Sequence, residues 1–381
     1  MNKVVITHAQ TVTSLGHGLD TLYNGLLDAK NGFCPVHRFD TSPYVSGIAG
    51  IISGLDLAGG SLKKTAIMDL AADLIRDMPD PDPDSLLITA STKGSIDLIK
   101  NLPPCPDLSH GDFPGLPVSD LPGRLSRTLR LGRTGFNISA ACSSSTIALA
   151  KAADLIRRGR EHTVVVMALD LVTEFVFSGF SAIGAMGPGP AMPFDRDRKG
   201  LTLGDGAAVM VLSNQNKAMS DGTPILAELA GWGIAADAVH LTAPDRAASG
   251  LKTAILHACR TADITPGTVK VVCAHGTGTV YNDAMELTAI RDLFNPDSVM
   301  ANSIKGSIGH TLGASGAIEA ALCIKYLDQL ILPGTKGLVN PDQGAAPIFS
   351  AGNRPFAKGP ILTSNSGFGG INAALIIQEA S

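Results

Sequence analysis

The chain has 381 residues and a formal net charge of −4, with 30 Lys and Arg against 34 Asp and Glu. Hydrophobic residues make up 45% of it, charged residues 17% and aromatic residues 4%. That balance supports a buried core rather than disorder, fits two domains or one large fused unit, and lacks the basic surface and stacking rings of a general nucleic-acid binder.

No segment reaches the roughly 18 apolar residues of a membrane-spanning helix; the best run, Thr163 to Leu169, stops at Asp170. Met1 to Ile6 is a short apolar stretch with one Lys and does not read as a signal peptide. The cysteines at 34, 105, 142, 259, 273 and 323 form no CxxC pair. A cytoplasmic protein with free thiols is expected.

In chain order, Lys3 to Thr7 reads as a strand and Leu19 to Asp28 as a helix, with Leu22, Leu26 and Leu27 on one face. Ser85 to Thr89 is a buried strand. Residues 101–123, studded with prolines from Pro103 to Pro122, read as an irregular excursion. A strand over Phe136 to Ala141 stops at Cys142, and a helix follows over Ser144 to Arg157, closed by Gly159. Strands come next at Thr163 to Ala168 and Ala207 to Leu212. The polar stretch Gln215 to Thr223 is the expected junction between two halves, 1–214 and 215–381.

The second half has strands at Ile225 to Ala230, Val269 to Ala274 and near Ser298 to Asn302, helices at Ser249 to Ala262 and Ala314 to Leu327, and a final strand pair ending in Ala373 to Ile377. Alternating strands and helices predict a largely parallel sheet covered by helices. Each half carries a strand that runs into a helix starting with Ala, Ser and Gly, which suggests an internal repeat; a chance likeness of Ala-rich helices is the alternative. Small residues at those helix starts let two helices pack closely.

Cys142 sits where a strand meets a helix. Free amides at a helix N-terminus favour negative charge by roughly 0.3–1 kcal/mol, which predicts a lowered thiol pKa and a larger thiolate fraction. The alternative is a small buried hydrophobe, the default for the other five cysteines. His275, in Ala-His-Gly-Thr-Gly-Thr279, and His310, in Gly-His-Thr-Leu-Gly-Ala-Ser-Gly316, each lie in a Gly-rich loop at a strand end; either alone fits a satisfied structural histidine, and two in such loops fit that less well. Thr277 and Thr279 offer hydroxyls on one side. Lys305 and Glu286 are a candidate charge pair behind the histidines, although spacing alone favours two ordinary surface charges. Ser366-Gly-Phe368-Gly-Gly370 is a Gly-rich turn with one large ring.

These motifs together resemble those of the β-ketoacyl-acyl carrier protein synthases. Ala-Ala-Cys142-Ser-Ser-Ser is similar to the nucleophile motif, and Pro193-Phe-Asp-Arg-Asp-Arg-Lys-Gly-Leu-Thr-Leu-Gly-Asp-Gly206 to the central signature. His275-Gly-Thr-Gly-Thr279 with Asp283 and Glu286, Lys305 with Gly309-His310, and Gly367-Phe368-Gly-Gly370 follow in family order, and Phe39-Asp-Thr-Ser42 adds to the likeness. The resemblance covers essentially the whole chain and is closest to the elongating, Cys-His-His type.

The resemblance implies an α/β protein with the thiolase-like five-layered αβαβα fold, built from two duplicated halves. It implies an acyltransferase that loads an acyl group onto Cys142 and condenses it with malonyl-acyl carrier protein, with loss of CO₂, in fatty-acid or polyketide biosynthesis. His275 and His310 would stabilise the enolate, and the N–H groups of Cys142 and Phe368 would form an oxyanion hole. Thr277 and Thr279 would hold pantetheine, Phe368 would gate the acyl pocket, Phe180 would line it, and Lys305 and Glu286 would order the site.

It further implies acyl carrier protein as partner, a homodimer or a heterodimer with a related chain, and no cofactor or metal beyond the phosphopantetheine that carries the substrates. Lys63, Lys64, Arg124, Arg127, Arg130 and Arg133 are candidate docking residues for the acidic carrier, although Arg at every third position equally fits a solvated helix face. The chain is shorter than common family members in the Pro-rich stretch and over Ile183 to Met192, which leaves acyl-chain length open. A pocket-shaping, chain-length-factor-like partner and a CoA-dependent thiolase are the competing readings. Cys142, His275 and His310 argue against the first, and Phe368 in place of a second cysteine argues against the other.

Overall fold

The computed structural model describes residues 2–55, 57, 65–101 and 116–380. The main strands are β1 (Val4–Thr13), β2 (Leu86–Ala90), β3 (Phe136–Ile138), β4 (Thr163–Asp170), β5 (Gly206–Asn214), β6 (Ala227–Ala236), β7 (Val271–Cys273), β8 (Met300–Asn302), β9 (Ile361–Gly367) and β10 (Ile371–Gln378). They form one sheet in the order β8-β7-β9-β10-β6-β1-β5-β4-β2-β3, with Gly16–His17 paired onto β1. The order mirrors itself about the β6–β1 contact, where Val5 faces Glu228 and Ile6 faces Ala227.

The sheet is mixed rather than largely parallel. Only the outer strands β3-β2-β4 and β8-β7-β9 run parallel; β5, β1, β6 and β10 are antiparallel to their neighbours. The expectation failed because a tight turn forces antiparallel pairing. β9 turns into β10 through Gly367 to Gly370, and no helix lies between them.

The helices are α1 (Leu19–Leu27), α2 (Ala66–Ile75), α3 (Asp120–Thr128), α4 (Ser144–Arg157), α5 (Glu174–Ala182), α6 (Gln215–Ser220), α7 (Ser249–Thr261), α8 (Val280–Leu293), α9 (Lys305–Ile308) and α10 (Ser315–Gln329). α4 and α10 pack on each other between the two halves of the sheet, α2 and α3 cover the outside of one half, and α7 with α8 covers the other. The result is the five-layered αβαβα thiolase-like fold.

Strand alternation explains why both faces are covered. In β4, Val164, Val166 and Ala168 face α4, whereas Val165, Met167 and Leu169 face α2. In the other half, Val271, Ile361, Leu375 and Ile377 face the central helices, while Val272, Leu362, Ala374 and Ile376 meet Ala254, Ile255 and Ala258 of α7.

Small residues do bring α4 and α10 together. A Cβ on Gly316 would run into Thr146 Oγ1 and lie 2.5 Å from Asn365 Oδ1. Ser145 Oγ accepts the N–H of Ala317 at 2.9 Å, which ties the two helix starts directly.

α4 has the bounds expected from the sequence, whereas the polar junction at 215–223 contains the short helix α6, capped by the Asn214 side chain on the N–H groups of Asn216 and Lys217. The Pro-rich excursion lies mostly outside the described residues, and its end, from Asp120, is α3; Pro122 is tolerated in a first helical turn. Helix α8 has no clear apolar period, because its buried face carries Asp283 and Glu286. Among the described residues no helix is long and apolar enough to cross a membrane.

Candidate active site

Cys142 lies between β3 and α4 and is 7% exposed. The chain bends sharply before it, with Ala141 at φ +49°. Ser144 Oγ braces the bend by donating to Ala141 O at 2.6 Å and accepting from Ala140 N–H at 2.8 Å. Ser143 Oγ lies 3.0 Å from Asn365 O and 2.9 Å from Ile371 O, which fastens the bend to the β9–β10 hairpin.

Burial dominates the thiol. It pushes Cys142 up to about 12, against a downward pull from Lys305 and from the N–H groups of Phe368 and of Cys142 itself, while Asp170 adds to the rise. The expectation of a lowered pKa is therefore corrected: removing the sulfur from water outweighs the helix N-terminus. The buried Cys142 side chain is a thiol near pH 7.

His275 follows β7 in a loop that α8 holds by its backbone. Glu286 accepts the N–H of His275 at 2.5 Å and of Gly276 at 2.7 Å, and Asp283 accepts those of Thr277 at 3.0 Å and Gly278 at 3.2 Å. Gly276 and Gly278 adopt φ +40° and +81°, and a Cβ on Gly276 would meet Ser303 and Phe194 within 2.7 Å. The hydroxyls of Thr277 and Thr279 are 2.9 Å apart.

His310 follows α9 through Gly309, and the central signature holds it. Its N–H donates to Thr202 O at 2.7 Å, and its carbonyl accepts Gly204 N–H at 3.0 Å. His310 Nε2 lies 2.9 Å from Cys142 Sγ. The two imidazoles stand nearly perpendicular with centroids 5.2 Å apart. Burial pushes both histidines well below their ordinary value; Lys305 adds to this for both, and His310 adds to it for His275. Both rings are neutral near pH 7.

Their partners decide the tautomer. Leu312 donates its backbone N–H to His310 Nδ1 at 3.2 Å. His275 Nδ1 faces Asn365 Nδ2 at 3.0 Å and Lys305 Nζ at 3.3 Å, both donors. Each Nδ1 therefore accepts, and each ring presents Nε2–H toward the sulfur.

A cavity of about 310 Å³ opens here. The expected residues Cys142, His275, His310 and Phe368 line it, as do Thr277, Thr279 and Phe180. The Phe180 and Phe368 rings face each other at 5.8 Å. Ile183 to Ala185 also line the cavity, and so does the stretch from Asp237 to Pro244, which no sequence motif marked. Gly369 N–H donates to Leu241 O at 2.7 Å and Asn372 to Asp237 at 2.8 Å, so that stretch is tied to the Phe368 turn.

Lys305 and Glu286 lie behind the cavity and are both buried, not surface charges. The expected pairing is corrected: Lys305 Nζ pairs with Glu319 Oε1 at 2.5 Å and also donates to His275 O, whereas Glu286 holds backbone N–H groups. Glu319 and Asn365 were missed. The signal available for Glu319 was one acidic residue in an otherwise small and apolar helix start. Lys63 and Lys64 lie outside the described residues. The Arg series is not one helix face, because α3 ends at Thr128; Arg133, beyond it, pairs with Glu161 at 2.7 Å.

The family model "Beta-ketoacyl synthase, N-terminal domain" matches residues 109–218, and "Beta-ketoacyl synthase, C-terminal domain" matches residues 226–338. The chain belongs to the β-ketoacyl synthase family. This β-ketoacyl synthase is 28% identical to 3-oxoacyl-[acyl-carrier-protein] synthase 2 of Coxiella burnetii over 407 residues, covering 99% of this chain and 98% of that one. Nodulation protein E of Rhizobium meliloti is 32% identical over 284 residues, covering 72% of this chain and 70% of the relative. Among solved structures, a β-ketoacyl synthase from Burkholderia phymatum STM815 superposes with TM-score 0.87 at 26% identity, and the ishigamide ketosynthase/chain length factor with TM-score 0.87 at 25% identity. Each match covers 100% of both chains.

Proposed function

We propose that this β-ketoacyl synthase condenses an acyl thioester, held on Cys142, with a malonyl thioester on acyl carrier protein. The observation that carries the reading is Cys142 Sγ at 2.9 Å from His310 Nε2, with a second neutral imidazole alongside. A chain-length-shaping partner needs no such set, and the carbon–carbon bond-forming role follows from it.

In the first half-reaction Cys142 sulfur attacks the acyl carbonyl of the carrier thioester. The N–H groups of Cys142 and Phe368 receive the oxyanion, the carrier thiolate leaves, and it takes up the proton that Cys142 gives up. One thioester is exchanged for another.

In the second, the malonyl carbon–carbon bond breaks and CO₂ leaves. The electron pair moves into the thioester to give an enolate, whose oxygen accepts the Nε2–H groups of His275 and His310. Neutral donors suit this step: they stabilise the developing charge without first binding the malonyl carboxylate as an ion pair. The enolate carbon then attacks the acyl-Cys142 carbonyl, the sulfur leaves as thiolate, and a β-ketoacyl carrier thioester departs.

In this reading Thr277 and Thr279 face the pantetheine arm, Phe180 and Phe368 bound the acyl group, and Lys305 and Glu286 keep the histidine loop in place. No resident cofactor or metal enters any step. The partners are acyl carrier protein and either a second copy or a related chain; the likeness to a ketosynthase/chain length factor structure supports the latter form. The two halves, 1–214 and 215–381, divide the labour, Cys142 coming from one and both histidines from the other.

Intact-protein mass spectrometry after incubation with acyl-carrier thioesters tests the reading. An acyl adduct in the wild type that is absent from Cys142→Ala is expected. No adduct from any acyl or malonyl donor, alone or with a related chain present, sinks it.

A further inference from the structure

We propose that Asn365 is a positioning residue that keeps His275 in its Nε2-protonated form, and that Glu319 and Thr146 set the direction of its amide. The inference rests on the condensing-enzyme reading and names what keeps one of its two donors correct.

An amide can turn either edge to a neighbour, so the surrounding groups decide which atom meets His275. Asn365 is fully buried at the end of β9, behind His275. Its Nδ2 lies 2.7 Å from Glu319 Oε2 and 3.0 Å from His275 Nδ1. Its Oδ1 accepts the hydroxyl of Thr146. Reversing the amide would set Oδ1 against a carboxylate oxygen, two acceptors facing each other in a dry interior. Glu319 thus fixes Nδ2 toward the histidine, and Thr146, reaching across from α4, anchors the other edge.

Lys305 does not make Asn365 redundant. Its ammonium has three protons. One goes to His275 O and one to Glu319 Oε1 at 2.5 Å, and only the third spans 3.3 Å to His275 Nδ1. Asn365 makes the shorter bond to that nitrogen. The other charged and titratable groups around the ring are His310 and Cys142 across the cavity, Glu286 and, further along the loop, Asp283 from α8, and Glu319 behind Asn365. None of them places an acceptor on Nδ1.

Asn365→Asp exchanges the donor for an acceptor with almost no change in shape; Glu319, whose carboxyl burial already pushes up, takes a proton and donates Oε2–H to the new carboxylate, so the two do not face each other as bare acceptors. An acceptor then faces Nδ1 and draws the proton there, so the neutral ring turns a lone pair toward the cavity. The ring regains Nε2–H only as an imidazolium. Decarboxylation by the variant therefore falls as pH rises from 6 to 8.5, whereas the wild type shows no such ionisation.

The experiment follows two half-reactions on the full chain: acyl loading on Cys142 by intact mass, and CO₂ release from malonyl-carrier protein without acyl donor, both across that pH range. For Asn365→Asp we expect loading within about threefold of wild type and decarboxylation reduced about tenfold or more at pH 8.5, recovering toward pH 6. Equal loss of both half-reactions, a loss independent of pH, or no loss overturns the proposal. Thr146→Val, which removes only the hydroxyl behind Oδ1, decides the matter if Asn365→Asp does not fold: selective loss of decarboxylation supports the proposal, and unchanged or equally reduced half-reactions overturn it. A wild type that neither loads nor decarboxylates brings down the condensing-enzyme reading itself, a result distinct from a failed variant.

Discussion

Lys305 Nζ lies 2.5 Å from Glu319 Oε1, and both side chains are 1% exposed. Burial pushes the Glu319 carboxyl above its ordinary value, and the ammonium and the Asn365 amide pull it back. A pair of this kind is held by geometry rather than by a large net gain, but losing one member strands the other charge in a dry interior.

Lys305→Met is therefore expected to destabilise the protein by about 3–5 kcal/mol. Lys305→Met with Glu319→Leu together should be less destabilised than Lys305→Met alone, since no charge is then left without a partner. Urea unfolding of Lys305→Met, Glu319→Leu and the double variant checks this. A double variant whose losses simply add would show that the pair is not coupled.

The thiol makes a kinetic prediction. With Cys142 pushed up to about 12, its thiolate fraction should rise about tenfold per pH unit through the neutral and alkaline range. Iodoacetamide alkylation of Cys142, followed by peptide mass spectrometry, should climb from pH 7 to 10 without levelling. Lys305→Met should slow it, because the ammonium pulls the thiol down. A plateau near pH 9 contradicts the first expectation, and an unchanged rate in Lys305→Met contradicts the second.

Glu286 links stability to pH. Burial, its largest cause, and the Asp283 charge push its carboxyl up to about 8 from 4.5, against the pull of the Gly276 and His275 N–H groups and of Lys305. The folded value lies above the unfolded one, so the native chain holds a proton that the unfolded chain has released. The contribution is fully present below pH 4.5 and is lost as pH rises through about 8. The stability of the wild type relative to Glu286→Gln should thus decline from pH 5 to pH 8.5 and then level off. Parallel urea titrations measure it, and a difference that grows with pH reverses the assignment.

Gly316 joins packing to chemistry. A methyl group there meets Thr146 Oγ1 and Asn365 Oδ1, with Thr146 N 2.9 Å away, so neither helix can yield cheaply. Gly316→Ala should destabilise by about 1–3 kcal/mol and reduce decarboxylation more than a matched loss of stability elsewhere does. A fully active Gly316→Ala would mean that α4 and α10 separate without disturbing Asn365.

Much of the local structure was legible in the residues alone. The small-residue run after Cys142 gave α4 its bounds, the β-branched run at 163–168 gave a buried strand, and the Gly-rich loops gave the positions of both histidines. α8 was not legible, because its inward face carries Asp283 and Glu286, whose partners are backbone N–H groups of a loop. A hydrophobic period cannot report a face that is buried by hydrogen bonding.

What the sequence by itself determined is the order of motifs, the two-half strand-and-helix plan, and the loops that carry Cys142, His275 and His310, since each is a matter of local pattern; the Asp237–Pro244 stretch also reaches the cavity and carried no motif. Tertiary structure alone decided the mixed strand directions, the partner of Lys305, and the charge states at the site. Glu286 and Glu319 were both available to Lys305, and only the packing of α10 brought Glu319 to 2.5 Å. The helix N-terminus argued for a thiolate at Cys142, and removal from water outweighed it. Which charges meet, and how dry they are when they do, are properties of the assembled layers, and no run of neighbouring residues contains them.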